Sequence, residues 1–246
     1  TWTGPEGDYF RNKDFRIALS HAIDREAIKE LAFYGLGESR QGVPAPFHPY
    51  YPGDEYAFRY TELDMDKANS LLDGILPNKD SDGFRLMSNG NILDIEIGIV
   101  PQFGNWPDIG QLIVENWAEV GVKAHIEIRE RTQHFNMRPA NELMSEIWNE
   151  DTTGFPFSGQ PKFDPRSDPA LTFAPLIAKW YASGGKEGQA PPAEIKRLVD
   201  IIDEAKTSGR NRQIALAKEL FRIWADNVWE IGTVGMTPMI QGVLVA

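Results

Sequence analysis

Apolar residues recur at helical spacing close to the start of the chain. Phe15, Leu19, Ala22 and Ile23 stand at i, i+4, i+7 and i+8, which predicts one buried helix face. Ile28, Leu31 and Ala32 continue the stripe beyond a break and predict a second helix. Asn12 or Asp14 can cap the first helix and Asp24 the second, with Glu26 favourable in the second helix's first turn. Gly35 and Gly37 are expected to end it, because glycine takes the left-handed backbone that a helix exit needs. Pro44 and Pro46 then keep the chain extended.

Further along, the period changes. Tyr56, Phe58 and Tyr60 alternate, and Ala68, Leu71 and Leu72 mark a short helix over residues 67–73, capped by Asp64 or Asp66. Residues 84–87 and 92–100 read as strands joined by a two-residue turn at Asn89-Gly90. Leu93, Ile95, Ile97 and Ile99 alternate with Asp94, Glu96 and Gly98, so this strand buries one face. Pro107 suits the first turn of the next helix, whose stripe is Ile109, Leu112, Ile113, Trp117 and Val120 and which Gly121 ends. Val122, Ala124, Ile126 and Ile128 resume alternation, so residues 92–128 form a strand–helix–strand unit long enough for a right-handed parallel crossover. A short helical turn is expected over 132–137 and a strand over 143–148. The Gly-, Pro- and Ser-rich stretch 152–168 has no period, as in long functional loops. Helices follow over 175–181, around Ile195, Leu198, Val199 and Ile202, and around Leu216, Leu220, Ile223 and Trp224, before a strand and turn over 232–246.

Composition narrows the chemistry. The 246 residues suffice for one large domain or two small ones. A formal net charge of −11 opposes contact with a phosphate backbone, so nucleic acid is not an expected partner. No apolar run reaches the roughly 20 residues that span a bilayer. Cysteine is absent, which removes disulfides, thiolate catalysis and cysteine-based metal sites. His21, His48, His125 and His134 are scattered without zinc-site spacing; His21 reads as a helix-face residue and His125 as a solvent-side strand residue. Asn78 to Gly83 opens like a calcium loop, but its twelfth position is Asn89, where a bidentate glutamate is required. No G-x-S-x-G elbow, Walker loop or G-x-G-x-x-G is present, and neither a metal nor a cofactor is expected.

In open α/β sheets, ligands bind at the carboxyl ends of the parallel strands. Three segments qualify here: 101–108, 130–135 and 148–160. The candidate ligand-binding residues are Phe103, Asn105 and Trp106 in the first, Gln133 in the second, and Trp148, Asn149, Asp151 and Phe157 in the third. Flat aromatic faces beside planar amides and carboxylates suit sugar rings or peptide backbones. Plainer readings stand beside these: Trp106 as a packing residue ahead of its helix, and Asp151 as a solvated loop carboxylate. Arg129-Glu130-Arg131 reads either as a clamp for a ligand carboxylate or as a mixed surface charge cluster.

One stretch carries a family resemblance. Asp14, Arg16, Ala18, Leu19, Ser20, Ala22, Ile23, Asp24, Arg25, Glu26, Ala27 and Ile28, followed by Gly35, Gly37, Pro44 and Pro46, resemble the family 5 extracellular solute-binding proteins of ABC importers. That group includes oligopeptide, dipeptide, nickel and oligosaccharide receptors. Tyr60, Asp64, Lys67, Ala68, Leu71 and Leu72 look like a second family pattern. Later pieces include Lys179-Trp180-Tyr181, Gly184-Gly185, Pro191-Pro192 and Val228-Trp229-Glu230-Ile231-Gly232.

The resemblance implies a periplasmic-binding-protein-like (type II) α/β lobe, with a mixed, mostly parallel sheet flanked by helices. It implies that residues 1–246 are a single C-terminal ligand-binding lobe of a larger two-lobe receptor. Trp148 and Asp151 resemble the tryptophan and aspartate that hold a peptide amino terminus in peptide-binding members, although Thr152 to Pro156 departs from that pattern. The implied function is capture of an oligopeptide or oligosaccharide by hinge closure and its delivery to a membrane ABC permease. The implied receptor is a periplasmic or extracellular monomer, lipid-anchored in its full-length form. An isolated lobe supplies only part of a cleft and is expected to bind more weakly than the whole. Two other readings stay open: a glycoside hydrolase using paired carboxylates, and a protein-interaction lobe with no small ligand.

Overall fold

A computed structural model describes residues 2–102, 104–149, 156–157, 161–169 and 173–237. It opens with α1 (Gly7–Arg11), which has no counterpart among the sequence expectations, and continues through α2 (Lys13–His21) and α3 (Arg25–Phe33). The Asn12 side chain caps α2 by accepting from the Asp14 N–H, and Asp24 caps α3 by accepting from Ala27. The exit from α3 begins one residue earlier than the glycines suggest. Tyr34 already takes the left-handed conformation (φ 54°), and Gly35 continues it (φ 75°).

The extended stretch after α3 contains β1 (Glu38–Ser39). The alternating tyrosines do not form a strand. Asp54 and Glu55 follow Gly53 as acidic first-turn residues, and the chain closes into α4 (Asp54–Ala57). Next comes α5 (Met65–Ile75), capped by Asp64 and longer at both ends than expected.

Residues 84–87 fall short of a strand; Leu86 and Ile92 make only an isolated antiparallel bridge. The turn has three residues instead of two. Met87 N–H donates to the Asn91 carbonyl at 2.8 Å, and Gly90 sits at φ 83°.

A three-stranded sheet follows, built from β2 (Asp94–Ile99), β3 (Lys123–Ile128) and β4 (Ser145–Glu146) in the order β3-β2-β4. Both neighbours run parallel to β2, with Ile97 opposite Ile126 on one side and Ser145 on the other. The crossovers are α6 (Trp106–Glu119) and α7 (Arg131–Ala140), the latter a full helix where only a turn was expected. The strand expected over 143–148 is paired only at Ser145 and Glu146. The remainder is helical: α8 (Pro175–Ala182), α9 (Ala193–Thr207) and α10 (Arg210–Asn227). Finally β5 (Val234–Gly235) pairs antiparallel with β1.

Two hydrophobic cores result. In the first, Ile95, Ile97 and Ile99 of β2 pack with α2, α3, α5 and α6 through Phe15, Ile28, Leu72 and Ile113. In the second, Leu198, Ile201, Leu220, Phe221 and Trp224 join α9 to α10 and enclose Phe163 and Ala57.

Candidate functional site

A cleft of about 1930 Å³ runs from the carboxyl ends of the parallel strands to the edge of the second core. Its sheet-side wall is aromatic. Trp106 opens α6 and is buried; Trp148 follows β4 and is half-buried. The two ring centroids lie 5.1 Å apart, tilted by 53°. From α7, Phe135 meets Trp148 edge-on at 5.1 Å, and His134 stacks beside it at 6.5 Å and 17°.

A charged pair backs this wall. Glu146 Oε2 lies 2.6 Å from His134 Nε2 and accepts from Arg138 Nη2 at 2.7 Å. The Arg138 guanidinium carbon in turn sits 4.3 Å from the Phe135 centroid and 5.3 Å from that of Trp148. Burial pushes the Glu146 carboxyl up, but the hydrogen bond from His134 and the charge of Arg138 outweigh it, and the group is held below the usual carboxylate value.

Further lining comes from the second core. Phe173 and Trp229 stack at 5.5 Å and 24°, and Trp224 stands nearly perpendicular to both. Lys162 pairs with Glu230, and its Nζ lies 5.3 Å from the Trp224 centroid.

Of the residues picked out in the sequence, Asn105, Trp106, Trp148 and Asn149 line this cleft together. Gln133 is exposed on the first turn of α7, and Phe157 packs half-buried against the second core; neither is among the described lining residues. Phe103 and Asp151 lie outside the described residues. Arg129-Glu130-Arg131 does not converge as a clamp. Arg129 pairs with Glu96 at 2.9 Å, while the Glu130 carboxylate caps α7 by accepting from the Thr132 and Gln133 N–H groups. His21 is wholly buried, with Nδ1 3.1 Å from the Glu62 carbonyl, and His125 is exposed and bonds Asp94 at 2.8 Å. Among the described residues, no group of three or more His, Asp or Glu could hold a metal ion.

Residues 5–168 match the family described as bacterial extracellular solute-binding proteins, family 5 Middle. The chain belongs to this family. Among solved structures, the oligopeptide-binding protein OppA superposes with a TM-score of 0.83 at 31% identity, over 94% of this chain and 38% of that one. The Bacillus subtilis oligopeptide-binding protein AppA, solved with a nonapeptide, gives 0.68 at 18% identity, over 95% of this chain and 43% of that one. MelB from Agrobacterium fabrum, solved with stachyose, gives 0.69 at 17%, over 92% of this chain and 34% of that one. No curated protein sequence matched. This family 5 chain thus spans well under half the length of the structures it resembles.

In this family 5 chain the sequence reading missed Glu146 and Arg138, as well as the lining from the second core. His134 and Arg138 are i and i+4 on one helix, a spacing that becomes visible once α7 is extended past residue 137. The meeting of Phe173 with Trp229 left no local signal, because packing of the second core alone brings them together. No helix among the described residues is long and apolar enough to cross a membrane.

Proposed function

We propose that the chain is one ligand-binding lobe of a two-lobe receptor that closes around an oligopeptide or oligosaccharide and hands it to a membrane ABC importer. The observation that carries this reading is the aromatic wall of Trp106 and Trp148 at the carboxyl ends of three parallel strands, facing an open cleft. The family assignment and the short span relative to OppA support a companion lobe outside residues 1–246. In this reading the receptor is a monomer in the periplasm or at the cell exterior, tethered by lipid in its full form. It acts by binding alone, and the paired-carboxylate glycosidase reading finds no support in the family match.

The test is a thermal-shift screen of the two-lobe receptor against defined peptides and oligosaccharides, repeated with Trp148→Ala. Stabilisation by one ligand class, lost in the variant, is the expected outcome. Hydrolysis of the ligand would overturn the binding-only reading, and undiminished stabilisation of Trp148→Ala would move the site elsewhere.

A further inference from the structure

Arg138 lines the cleft, yet its charge is committed. Nη2 and Nε both donate to Glu146 Oε2, at 2.7 and 3.3 Å. The same oxygen lies 2.6 Å from His134 Nε2. Among the described residues His134 Nδ1 is buried without a partner, which fits the tautomer carrying its proton on Nε2 and donating it to Glu146. Glu146 stands two residues before Trp148, and Ile147 between them donates its N–H to the Gly98 carbonyl at 3.1 Å, which fixes this segment on β2. The space for this assembly is made by Gly98 on β2: a Cβ there would come within 3.0 Å of His134 Cε1.

We propose that Glu146 is the specificity-determining and positioning residue of this wall: it draws Arg138 and His134 together against Trp148 and offsets the Arg138 guanidinium, so that the cleft presents a fixed aromatic face with no free Arg138 charge. Because Arg138 is already committed to Glu146, it does not clamp a ligand carboxylate, and the group this face takes is a flat one that stacks, a pyranose face or a neutral stretch of peptide. The inference rests on the reading of the cleft given above, in which Trp148 meets the ligand. Its two components have separate physical causes. Orientation follows from the hydrogen bonds that hold His134 and Arg138 beside the indole. Charge compensation follows from the Glu146 carboxylate 2.7 Å from Arg138, whose guanidinium carbon lies 5.3 Å from the Trp148 centroid. Without Glu146, Arg138 would lie beside the indole as an uncompensated cation.

The experiment needs no physiological ligand. Quenching of tryptophan emission by iodide and by caesium reports the charge beside an indole, and subtraction of the same curves for Trp148→Phe isolates Trp148. The native chain sets the reference ratio of iodide to caesium quenching at Trp148. In Glu146→Gln, iodide quenching of Trp148 should rise about twofold and caesium quenching should fall, since one uncompensated unit charge near 5 Å acts through mostly aqueous dielectric. Adding Arg138→Met should restore the native ratio. In 5-fluorotryptophan-labelled protein, the Trp148 fluorine resonance should shift and broaden in Glu146→Gln. An unchanged quenching ratio and resonance, with only a lower melting temperature, would reduce Glu146 to a structural role and overturn the proposal. A raised iodide response that persists in the double variant would also overturn it. If Glu146→Gln does not fold, Glu146→Asp serves the same comparison, with smaller changes of the same sign expected and no change counting against the proposal. Failure of peptides or sugars to protect Trp148 from either quencher in the two-lobe receptor would sink the reading of the cleft and the specificity role with it, while leaving intact the positioning of Arg138 and His134 by Glu146.

Discussion

Arg25 donates its Nε–H to the Gly232 carbonyl at 2.9 Å, joining the start of α3 to a segment 207 residues later. Its other donors are also committed, to the Ser20 and Thr61 carbonyls at 2.8 and 3.0 Å and to the Ser20 hydroxyl at 2.7 Å. The guanidinium is only 2% exposed, and burial lowers it to about 10, against the opposing pull of Glu62. Removing it strands several buried acceptors at once. Arg25→Met should cost about 3 kcal/mol or more in urea unfolding, and Arg25→Lys should recover only part, because an ammonium cannot reproduce the planar fork. A loss below about 1 kcal/mol would mean that the carbonyls find other partners.

Gly90 and Gly121 separate two costs that are usually confounded. Both have positive φ, 83° and 78°. A Cβ at Gly90 meets nothing within 4 Å, whereas at Gly121 it would come 2.7 Å from the Gly83 carbonyl oxygen. Gly90→Ala should therefore cost about 1 kcal/mol, the price of left-handed backbone alone. Gly121→Ala should cost at least about 2 kcal/mol more, since backbone must shift as well. Equal melting temperatures for the two variants would show that the loop at Gly83 yields freely.

The capping residues, the parallel strand–helix–strand unit and the glycine that ends α6 were all legible, because each is written in a short window by side-chain type and spacing. The run from Asp14 to Ile28 was legible as a family signature, but its physical meaning was not. Arg16 and Arg25 within it bond the carbonyls of Asn227 and Gly232, partners that only the folded chain brings near. The cleft was half legible. Parallel-strand topology pointed to Trp106 and Trp148, whereas the pairing of Glu146 with His134 and Arg138 depends on how α7 crosses the sheet. β1 escaped because a two-residue strand carries no period, whereas β4 and β5 fall within the strands expected over 143–148 and 232–246 but are only two residues long.

The second core offers a test of its own. Phe221 is fully buried and meets Phe163 edge-on at 5.3 Å. Phe221→Ala should destabilise by roughly 3–5 kcal/mol, combining lost transfer energy with a cavity. Monitoring Trp117, which belongs to the first core, alongside Trp224 in the second shows whether the two cores melt together. Coincident transitions mean one cooperative unit, and separated ones mean that the α9–α10 half opens first.

Acid should weaken the fold through two carboxylates of different burial. Asp203 is held down to about 2 by hydrogen bonds from Arg166 and Lys206. Glu146 is also held below its usual value by His134 and Arg138, although burial pushes the other way. In the unfolded chain both titrate near about pH 4. Because the folded values are lower, the stabilisation is fully present above that range and disappears as pH falls through the folded values. Melting temperature should thus hold steady between about pH 8 and pH 5 and drop progressively below about pH 4. The side chain of Asp203 is 48% exposed, so salt should erase most of its share. The Glu146 side chain is 29% exposed, so it should keep a larger part of its share in salt than Asp203 does. Glu146→Gln is accordingly expected to flatten the acid limb at low ionic strength and, in part, at high, and Asp203→Asn mainly at low. An acid limb that Glu146→Gln leaves unchanged would place the pH-sensitive carboxylates elsewhere in the fold.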